Sequence, residues 1–581
     1  MNVSNEIKEA FNPNSGEGGR FIDYSVRFEI INEDSQNNTA ITASEDTEIS
    51  LKNSILTNDD VNDFITFEKN GFRLNGSQVV PPTPSQNIGN IGYLSNSLSD
   101  NNAKINLSVT LTSQYSANLI ATTINFGYVY AVDFNLKYYN ENNALIHEKD
   151  VINNEEMLFL YNYGILNVKK IVITVSKISR SSSRVRIGYF LFGAIKIYDK
   201  TNSDTMEITE IIDPINERVP TNTLKLVTEN FSNEFNIFDP TGIYEYFSER
   251  QLLKPKIGAM YESSLKYISM GNYYLLKPKL SGNTSKINIS ATDILGVLSD
   301  TIYQKGILKT ASLRAFLNDV FYEFNLPFLC PDRFSDITVE TYIKTQSHSD
   351  ILRKIAQASN TFLYVSKSGV ITFEELSNIN TSHSFTGDDY NLNSGISPSE
   401  ETIINTIEIE TANFTVSSAS EKLIEISGSG TFNVSYEPSV EHSAAVSGGT
   451  VSNITYYADN AVFTLSGGTI IISGRKIINN RNTINISSKR ENEKNYISSI
   501  KDNEFISNKN AATVAEYILS LKAKHRRLVK MNYRGYPYLD VGEKAYFHIN
   551  DSFTQEFFIT KNELKCAGGM TGTLETREYG F

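Results

Sequence analysis

The stretch that decides the fold is Tyr533-Arg-Gly-Tyr-Pro-Tyr-Leu-Asp-Val-Gly-Glu543. Gly535 and Pro537 indicate a turn into a strand, because glycine tolerates a positive φ and proline fixes its own φ. Gly542 is predicted to lie in a hairpin between strands 539–541 and 545–549. Farther on, Gly568-Gly569 indicates a tight reversal before a last strand. This end of the chain is therefore predicted to be an antiparallel β domain.

Working outward, most of the chain has β patterns, and only three segments have the apolar spacing of a helix. The segment Tyr24–Ile30 alternates apolar and polar residues, which is typical of a half-buried strand. The predicted helices cover 311–324, 349–358 and 510–522, with Ser349 and Asn510 as expected caps. The predicted fold class is mainly β with short helices, in several domains.

Composition sets the scale and excludes several classes of protein. A chain of 581 residues corresponds to about three to five domains. Its two cysteines, Cys330 and Cys566, exclude a disulfide-stapled scaffold and a four-cysteine zinc module. The net charge of -13 argues against broad binding to DNA or to anionic membranes. The N-terminus lacks the pattern of a signal peptide, and no apolar run is long enough to span a bilayer.

The motifs of common catalytic and metal sites are missing, so no enzyme, metal or cofactor is predicted. No two of the six histidines have the spacing of a helical or finger-type metal pair. The run Ser347-His348-Ser349-Asp350 contains hydroxyl, imidazole and carboxylate groups, but its place at a helix start favours capping. The acidic pairs Glu374-Glu375 and Asp388-Asp389 are interpreted as solvated surface, because adjacent strand residues point to opposite faces.

Residues 411–486 form a polar, β-rich segment with almost no helix signal. It contains the sequence Ser-Gly-Gly-Thr twice, at 447–450 and at 466–469. We interpret the two copies as hairpin turns of one small sandwich, rather than as a true repeat.

The C-terminal motifs resemble the last domain of the tail hub proteins of bacteriophages and related injection particles. Those proteins end with a helix, an Arg-Gly-x-Pro turn, a Val-Gly-Asp/Glu turn and a Gly-Gly turn. The helix at 349–358 and the hairpin around Gly369 are similar to a second hub motif, and the segments 212–226, 235–242 and 291–293 follow the order of the first hub barrel. The turn residues that the resemblance carries over are Asp213, Pro214, Asp239, Pro240, Gly242, Gly258, Asp293, Gly369, Arg534, Gly535, Pro537, Gly542, Gly568 and Gly569.

The resemblance also implies a domain order. The expected domains are an N-terminal arm (1–20), a first hub β-barrel split into 21–44 and 199–300, an inserted jelly-roll (45–198), a helix-containing hub domain (301–410), a small inserted β domain (411–486) and a C-terminal hub β domain (487–581). The insert resembles galactose-binding-like modules, and its possible glycan contacts are Phe72, Tyr93, Tyr115 and Tyr128. Relatives often carry a Trp where this chain has Phe72 and Leu94.

The resemblance implies a structural function in the tail tip or baseplate of a phage or phage-like particle. Three copies would form a ring that joins the tail tube to the tip, takes part in assembly and assists host attachment or genome delivery. The implied partners are two further copies, distal-tail or tail-tube proteins, the tape-measure protein and other baseplate proteins, without sequence-specific nucleic acid. Synthesis in the cytoplasm of a bacterial host is expected. The alternative is a carbohydrate-binding protein of host recognition that acts through the insert, and a wall-degrading enzyme is disfavoured because the chain ends directly after the last hub motif. The sequence does not separate contractile injection systems from other tails, or a phage from a bacteriocin.

Overall fold

The structure is a computed structural model of the whole chain. It describes residues 4–12, 21–47, 50, 52–56, 65–66, 68, 71–72, 78, 91–229, 249–262, 264–276, 286–324, 326–376, 381–386, 389, 396–489, 493–523, 527–550 and 553–578. Most of these residues lie in strands that form several separate sheets, and the helices are short. The predicted fold class, mainly β in several domains, is confirmed.

The two stretches of the chain that the resemblance assigns to the first part of the hub form one antiparallel sheet. Its strands are Ile22–Ile31, Gly193–Asp199, Ser203–Ile211, Thr223–Glu229, Leu252–Tyr261, Ser264–Ser269, Tyr273–Leu275 and Lys286–Thr292. The strand Ile22–Ile31 pairs with Gly193–Asp199 on one side and with Leu252–Tyr261 on the other. A long segment therefore leaves this sheet after Ile31 and returns at Gly193.

That long segment folds as a β-sandwich around its own core. Its strands are Thr39–Ala43, Tyr93–Leu98, Lys104–Leu119, Thr122–Asn125, Ala131–Tyr139, Leu145–Val151, Leu158–Tyr161, Ile165–Ile178, Arg184–Ile187 and Tyr189–Leu191. They form sheets of five, three and two strands, with a helix at Glu33–Asn37 and a 3-10 helix at Lys52–Leu56. The strand Thr39–Ala43 pairs inside the five-stranded sheet. The sandwich therefore begins before the expected residue 45 and ends before the expected residue 198.

The middle of the chain supplies short helices and small strand pairs. The helices are Ile294–Ser299, Leu313–Phe321, His348–Ala358 and Ala511–Lys522, with Asn5–Ala10 at the N-terminus and a 3-10 helix at Asp332–Ser335. The small strands are Ile302–Tyr303, Lys309–Ser312, Phe328–Leu329, Thr338–Thr341, Gln346–Ser347, Phe362–Val365 and Ile371–Glu374. The three predicted helices are present, and they begin within two residues of the expected positions.

Two of the expected helix caps differ in the structure. The cap of helix His348–Ala358 is Ser347, whose hydroxyl accepts a hydrogen bond from the backbone N–H of Asp350. Ser349 instead lies in the first turn, with its Oγ 2.8 Å from Ser299 Oγ. Asn510 is the residue before helix Ala511–Lys522, but its side chain makes no capping bond. Its amide oxygen accepts from the N–H of Ser507, three residues upstream, so it closes the preceding turn.

Residues 414–479 form a small sandwich of two three-stranded sheets. One sheet contains Phe414–Ser427, Ser439–Ser447 and Thr469–Asn479, and the other contains Gly430–Ser435, Thr450–Tyr456 and Asn460–Ser466. A third sheet at the base, Thr406–Thr411, Asn482–Ser487 and Ile497–Ile500, connects this sandwich to the hub. The small sandwich agrees with the prediction, but the two Ser-Gly-Gly-Thr turns are not hairpins. Each one carries the chain from one sheet to the other, because the strands that flank it pair with different neighbours.

The C-terminal hub strands continue the first hub sheet. They are Thr381–Phe385, Ile396–Glu400, Arg527–Tyr533, Lys544–Asn550, Phe553–Cys566 and Met570–Glu578. We call Phe553–Cys566 the bridging strand, because Lys561–Cys566 pairs with Met206–Ile211 while Phe553–Phe558 pairs with Lys544–Asn550. The predicted strand at 539–541 is wrong, since these residues form no strand and the next strand begins at Lys544. Strand pairing thus joins both hub parts in one 14-stranded sheet.

Candidate functional site

The centre of the hub contains a lysine that is buried among carboxylates and carbonyl groups. Lys367 lies in the turn between strands Phe362–Val365 and Ile371–Glu374, and its side chain is only 2% exposed. Its Nζ is 2.8 Å from Asp540 Oδ1 and 3.4 Å from Glu210 Oε2. It also donates hydrogen bonds to the carbonyl oxygens of Pro537 (2.9 Å) and Leu539 (2.6 Å). We call these five residues the lysine junction.

Among the described residues, the lysine junction places two carboxylates beside one ammonium group. Burial raises the pKa of Glu210 to about 7, and the attraction of Lys367 opposes that rise. Burial disfavours the charged forms of Lys367 and Asp540 as well, but their mutual attraction is stronger. It raises the pKa of Lys367 and lowers the pKa of Asp540. Lys367 and Asp540 therefore form the ion pair, and Glu210 is the group that titrates near neutral pH.

The turn residues of the two C-terminal motifs lie around the lysine junction. Gly369 has φ +81° in the same hairpin turn as Lys367, and its N–H donates to the carbonyl of Ser366. Gly542 has φ +88°, and a Cβ there would lie 2.9 Å from the Phe362 ring. Gly535 has φ +80° and packs against Met570. The hairpin and the stretch 533–543 are thus packed face to face, so that the junction lysine of one meets the carbonyls of the other.

The segment after strand Ser203–Ile211 reaches the same place. Asp213 closes a tight turn, because its carboxylate accepts from the N–H groups of Ile215 and Arg218. The Pro214 carbonyl accepts from the hydroxyl of Tyr517 on the last helix. Asn216 then donates its side-chain amide to the Thr361 carbonyl, at the start of the hairpin. Segments that are far apart in the sequence are therefore joined at one point of the hub.

Two of the remaining turn residues support the first hub sheet. Gly258 lies opposite Tyr267 in a strand pair, and the Tyr267 ring covers the space where a Cβ would stand. Asp293 caps helix Ile294–Ser299, accepting from the N–H groups of Gly296 and Asn222. Burial raises the pKa of Asp293 to about 7, although these N–H donors favour its charged form.

The other turn residues that the structure describes are exposed, Arg534 among them. Gly568 and Gly569 form the open tip of the last hairpin, and a Cβ on either would meet nothing within 4 Å. Asp239, Pro240 and Gly242 lie outside the described residues.

The expected glycan contacts divide into buried and exposed rings. Tyr93 is fully buried in the core of the insert, where its hydroxyl donates to the Glu45 carbonyl at 2.5 Å. It cannot stack on a sugar, so this part of the prediction is wrong. Phe72, Tyr115 and Tyr128 are exposed, at 57%, 54% and 46% respectively.

The polar groups that the sequence offered as catalytic candidates have structural roles. His348 is buried, with Nδ1 2.9 Å from Thr301 Oγ1, and Ser347 caps the helix. Asp389 is buried rather than solvated, and it accepts from the hydroxyl of Tyr536. Within the described part of the chain, no three His, Cys, Asp or Glu side chains are grouped as metal ligands would be. In the same residues, no helix has the length and apolarity to cross a membrane.

Comparison with known proteins returned matches among solved structures alone. No family model and no curated protein matches the chain. The 43 kDa tail protein of prophage MuSo2 from Shewanella oneidensis has a TM-score of 0.37 and 11% identity, covering 66% of this chain and 95% of its own. Prophage tail protein gp18 from Listeria monocytogenes has a TM-score of 0.36 and 10% identity, covering 67% and 92%. The E. coli c3393 protein, a component of the type VI secretion system, has a TM-score of 0.31 and 9% identity, covering 65% and 74%.

These matches are tail and secretion-system proteins, the class that the sequence resemblance indicates. The lysine junction was not predicted as a site, although Lys367 and Asp540 both lie in the motifs that carry the resemblance. Lys367 lies near a turn glycine, where most lysines are solvated. Nothing in the local sequence indicates that this one is buried.

Proposed function

We propose that the chain is a structural hub in the tail tip or baseplate of a phage or phage-like particle, and that it joins the tail tube to the tip without bond-making chemistry. The observation that carries this proposal is the lysine junction. It ties Glu210 of the first hub sheet, the hairpin of Lys367 and the Pro537–Asp540 turn in one buried contact. A structural protein that connects neighbouring proteins needs segments that are held in a fixed arrangement. It does not need a cleft for a substrate.

The proposed assembly is a homotrimer that contacts distal-tail or tail-tube proteins, the tape-measure protein and other baseplate proteins, and that supports host attachment or genome delivery. Four strands of the described sheet pair with one neighbour only: Gly193–Asp199, Ser264–Ser269, Thr381–Phe385 and Ile396–Glu400. Strands at the ends of a sheet present unpaired backbone groups, which neighbouring subunits in a ring can pair. The proposed division of the chain keeps the expected order of domains, with the insert beginning at Thr39 and ending before Gly193.

The mass of the native protein tests the assembly. We expect light scattering or native mass spectrometry to give three times the chain mass of 65.1 kDa, and electron microscopy with an antibody to place the protein at the tail tip. A stable monomer that never enters particles would contradict the proposal. A zymogram on purified cell wall tests the absence of an enzyme activity, and clearing of the wall around the protein would refute it.

A second candidate function, glycan binding by the insert, is supported by the exposed rings of Phe72, Tyr115 and Tyr128. Exposed aromatic faces stack on the apolar faces of sugars. The test is capture of the full chain by cell-wall glycans, with a Tyr115→Ala/Tyr128→Ala variant. Tyr546→Ala is the matched control, because Tyr546 is 41% exposed and lies in the hub. Loss of capture in the double variant alone supports this function, and equal capture by all three proteins refutes it.

A further inference from the structure

The insert has an edge strand made of apolar residues alone, Leu158-Phe-Leu-Tyr161. It pairs on one side with Thr122–Asn125, which in turn pairs with Tyr189–Leu191. On its other side, no strand pairs with it in the part of the chain that the structure describes. An apolar edge without charge or proline is uncommon in soluble proteins, because its free backbone groups recruit further strands.

The outer face of this edge strand continues a surface that is already buried. Residues directly opposite each other in neighbouring strands share one face of the sheet. Leu160 is opposite Thr123, which is opposite Leu191. Leu191 is fully buried and clusters with Tyr189, and Ile31 of the first hub sheet packs in the same cluster. The face that docks the insert on the hub therefore continues, across the polar residues Thr123 and Asn125, to Leu160 and Leu158, which are 45% and 39% exposed.

The inner face holds the edge strand in place. Phe159 is opposite Ile124, which is opposite Phe190, and the last two are fully buried. The Phe159 ring packs edge-on against Phe134 at 5.0 Å between centroids. Tyr161 stacks with Tyr163 at 5.6 Å. The edge is thus formed before any partner arrives, which lowers the entropy cost of binding.

The two open sides of the sandwich are treated differently. On the opposite side, the 3-10 helix Lys52–Leu56 lies against Thr39–Ala43 and Tyr189–Leu191, with Ile55 fully buried. On the side of Leu158–Tyr161, the described residues include no such cover. The segment 145–166 instead exposes eight large apolar side chains. They are Leu145, Ile146, Ile152, Met157, Leu158, Leu160, Tyr163 and Leu166.

The charges around this edge are mostly negative. Six acidic and two basic residues lie between positions 133 and 166. Burial lowers the pKa of His147, so that its ring adds no positive charge at neutral pH. Glu155 and Glu156 are exposed directly before the edge strand. The surroundings therefore favour a partner with basic residues and disfavour an anionic lipid surface.

We propose that the strand Leu158–Tyr161 binds an extended segment of another protein, which adds a fourth strand to the three-stranded sheet of the insert. The segment is apolar at alternate positions, so that its side chains cover Leu158 and Leu160. Its end beside Glu155 and Glu156 carries lysine or arginine. Strand addition uses the free backbone groups of the edge, which a glycan or a lipid would leave unsatisfied.

The test uses the full chain and a labelled synthetic peptide, Val-Thr-Val-Thr-Val-Lys-Lys, in a fluorescence anisotropy titration. Its basic end lies beside Glu155 and Glu156 when the peptide pairs antiparallel, as the other strands of this sheet do. We expect saturable binding, slower amide exchange in 158–161, and no binding of the same peptide with N-methylated backbone. Leu160→Lys should weaken binding at least tenfold. Leu98→Lys should leave it unchanged, because Leu98 is 50% exposed in another strand of the insert. Absence of saturable binding, or equal binding of the N-methylated peptide, would overturn the proposal.

A charge exchange provides a second, independent measurement. Glu155→Lys/Glu156→Lys should weaken binding of the basic peptide several-fold and strengthen binding of a matched peptide that ends Glu-Glu. Unchanged preference between the two peptides would refute the charge part of the proposal. Competition by chito-oligosaccharide or by anionic phosphatidylserine vesicles would overturn the assignment to a polypeptide partner. None of these outcomes depends on the oligomeric mass, so they are independent of the test of the hub function.

Discussion

The ammonium group of Lys367 lies 2.8 Å from the carboxylate of Asp540, and the lysine side chain is only 2% exposed. The two residues belong to different hub segments, so their ion pair fixes how those segments sit together. A buried charge pair contributes little net stability compared with apolar residues, but the loss of one partner is costly. The first predictions concern this contact.

Replacing Lys367 by methionine should lower the free energy of unfolding by about 3–5 kcal/mol, because the buried Glu210 would lose the ammonium group that it faces, and the carbonyls of Pro537 and Leu539 would lose a donor. Urea denaturation of the purified chain measures the change. Lys530→Met is the matched control, since Lys530 is 61% exposed in its pair with Glu575 and should cost at most about 1 kcal/mol. A Lys367→Met protein as stable as the control would show that the junction does not bear on stability.

Stability should also depend on the protonation of Glu210. Its pKa is about 7 in the folded protein, above the unfolded value of 4.5, so the folded state binds more protons between these pH values. The stabilising contribution is complete below pH 4.5 and is lost as the pH rises through 7. Relative to Glu210→Gln, the wild type should lose roughly 3 kcal/mol of unfolding free energy across this window.

Denaturation curves at several pH values check this second prediction. The control is Glu207→Gln. Glu207 lies three residues before Glu210 on the same strand, and it pairs with Lys225 at the surface. This variant should follow the wild-type profile. Parallel profiles for the wild type and Glu210→Gln would mean that folding does not raise the pKa of Glu210.

A third prediction separates backbone strain from close packing at the turn glycines. Gly569→Ala should be neutral, because the position is open. Gly568→Ala should cost about 1 kcal/mol, since only its left-handed backbone (φ +70°) is strained. Gly542→Ala should cost more, because its Cβ would also meet the Phe362 ring at 2.9 Å. Thermal unfolding ranks the three variants, and any other order would contradict this account.

A fourth prediction concerns the stacked turns at the tip of the small sandwich. A Cβ on Gly449 would lie 1.8 Å from the Gly467 carbonyl, and the Gly428 N–H donates to the Gly468 carbonyl. Gly449→Ala should therefore separate the turns and speed amide exchange in residues 414–479, while the hub keeps its protection. Ser429→Ala, at an exposed position of the same tip, is the control and should leave exchange unchanged. Equal exchange in both variants would show that the turns move apart freely.

Local patterns predicted the elements better than the contacts between them. The three helices follow from apolar spacing, and the β character of the rest follows from alternation and turn residues. The Ser-Gly-Gly-Thr turns were assigned to hairpins because a two-glycine turn suits both a hairpin and a crossing between sheets. The choice depends on which distant strand each neighbour pairs with, and a local pattern does not contain that information.

The lysine junction escaped prediction for a similar reason. Burial of Lys367 depends on Glu210 and Asp540, which are remote in the sequence. The segment 539–541 is apolar enough for a strand, yet the Leu539 carbonyl accepts hydrogen bonds from Lys367 and from the Asn562 side chain. These two side-chain hydrogen bonds satisfy the Leu539 carbonyl, which in a strand would accept from the backbone N–H of a neighbouring strand. Tyr93 was predicted to be an exposed glycan contact, but it is buried. Alternation of apolar and polar residues shows that a strand has two faces, but it does not show which face packs against the core.

The bridging strand has a consequence for how the molecule comes apart. Because Phe553–Cys566 provides hydrogen-bond partners to both hub parts, neither part can lose its fold and leave the other with a complete sheet. The hub should melt as a single cooperative unit, whereas the insert and the small sandwich, each with a separate core, are free to open on their own. A fragment that stops before residue 553 would leave Met206–Ile211 as a bare edge, so the hub cannot be divided at the boundaries that the domain order suggests.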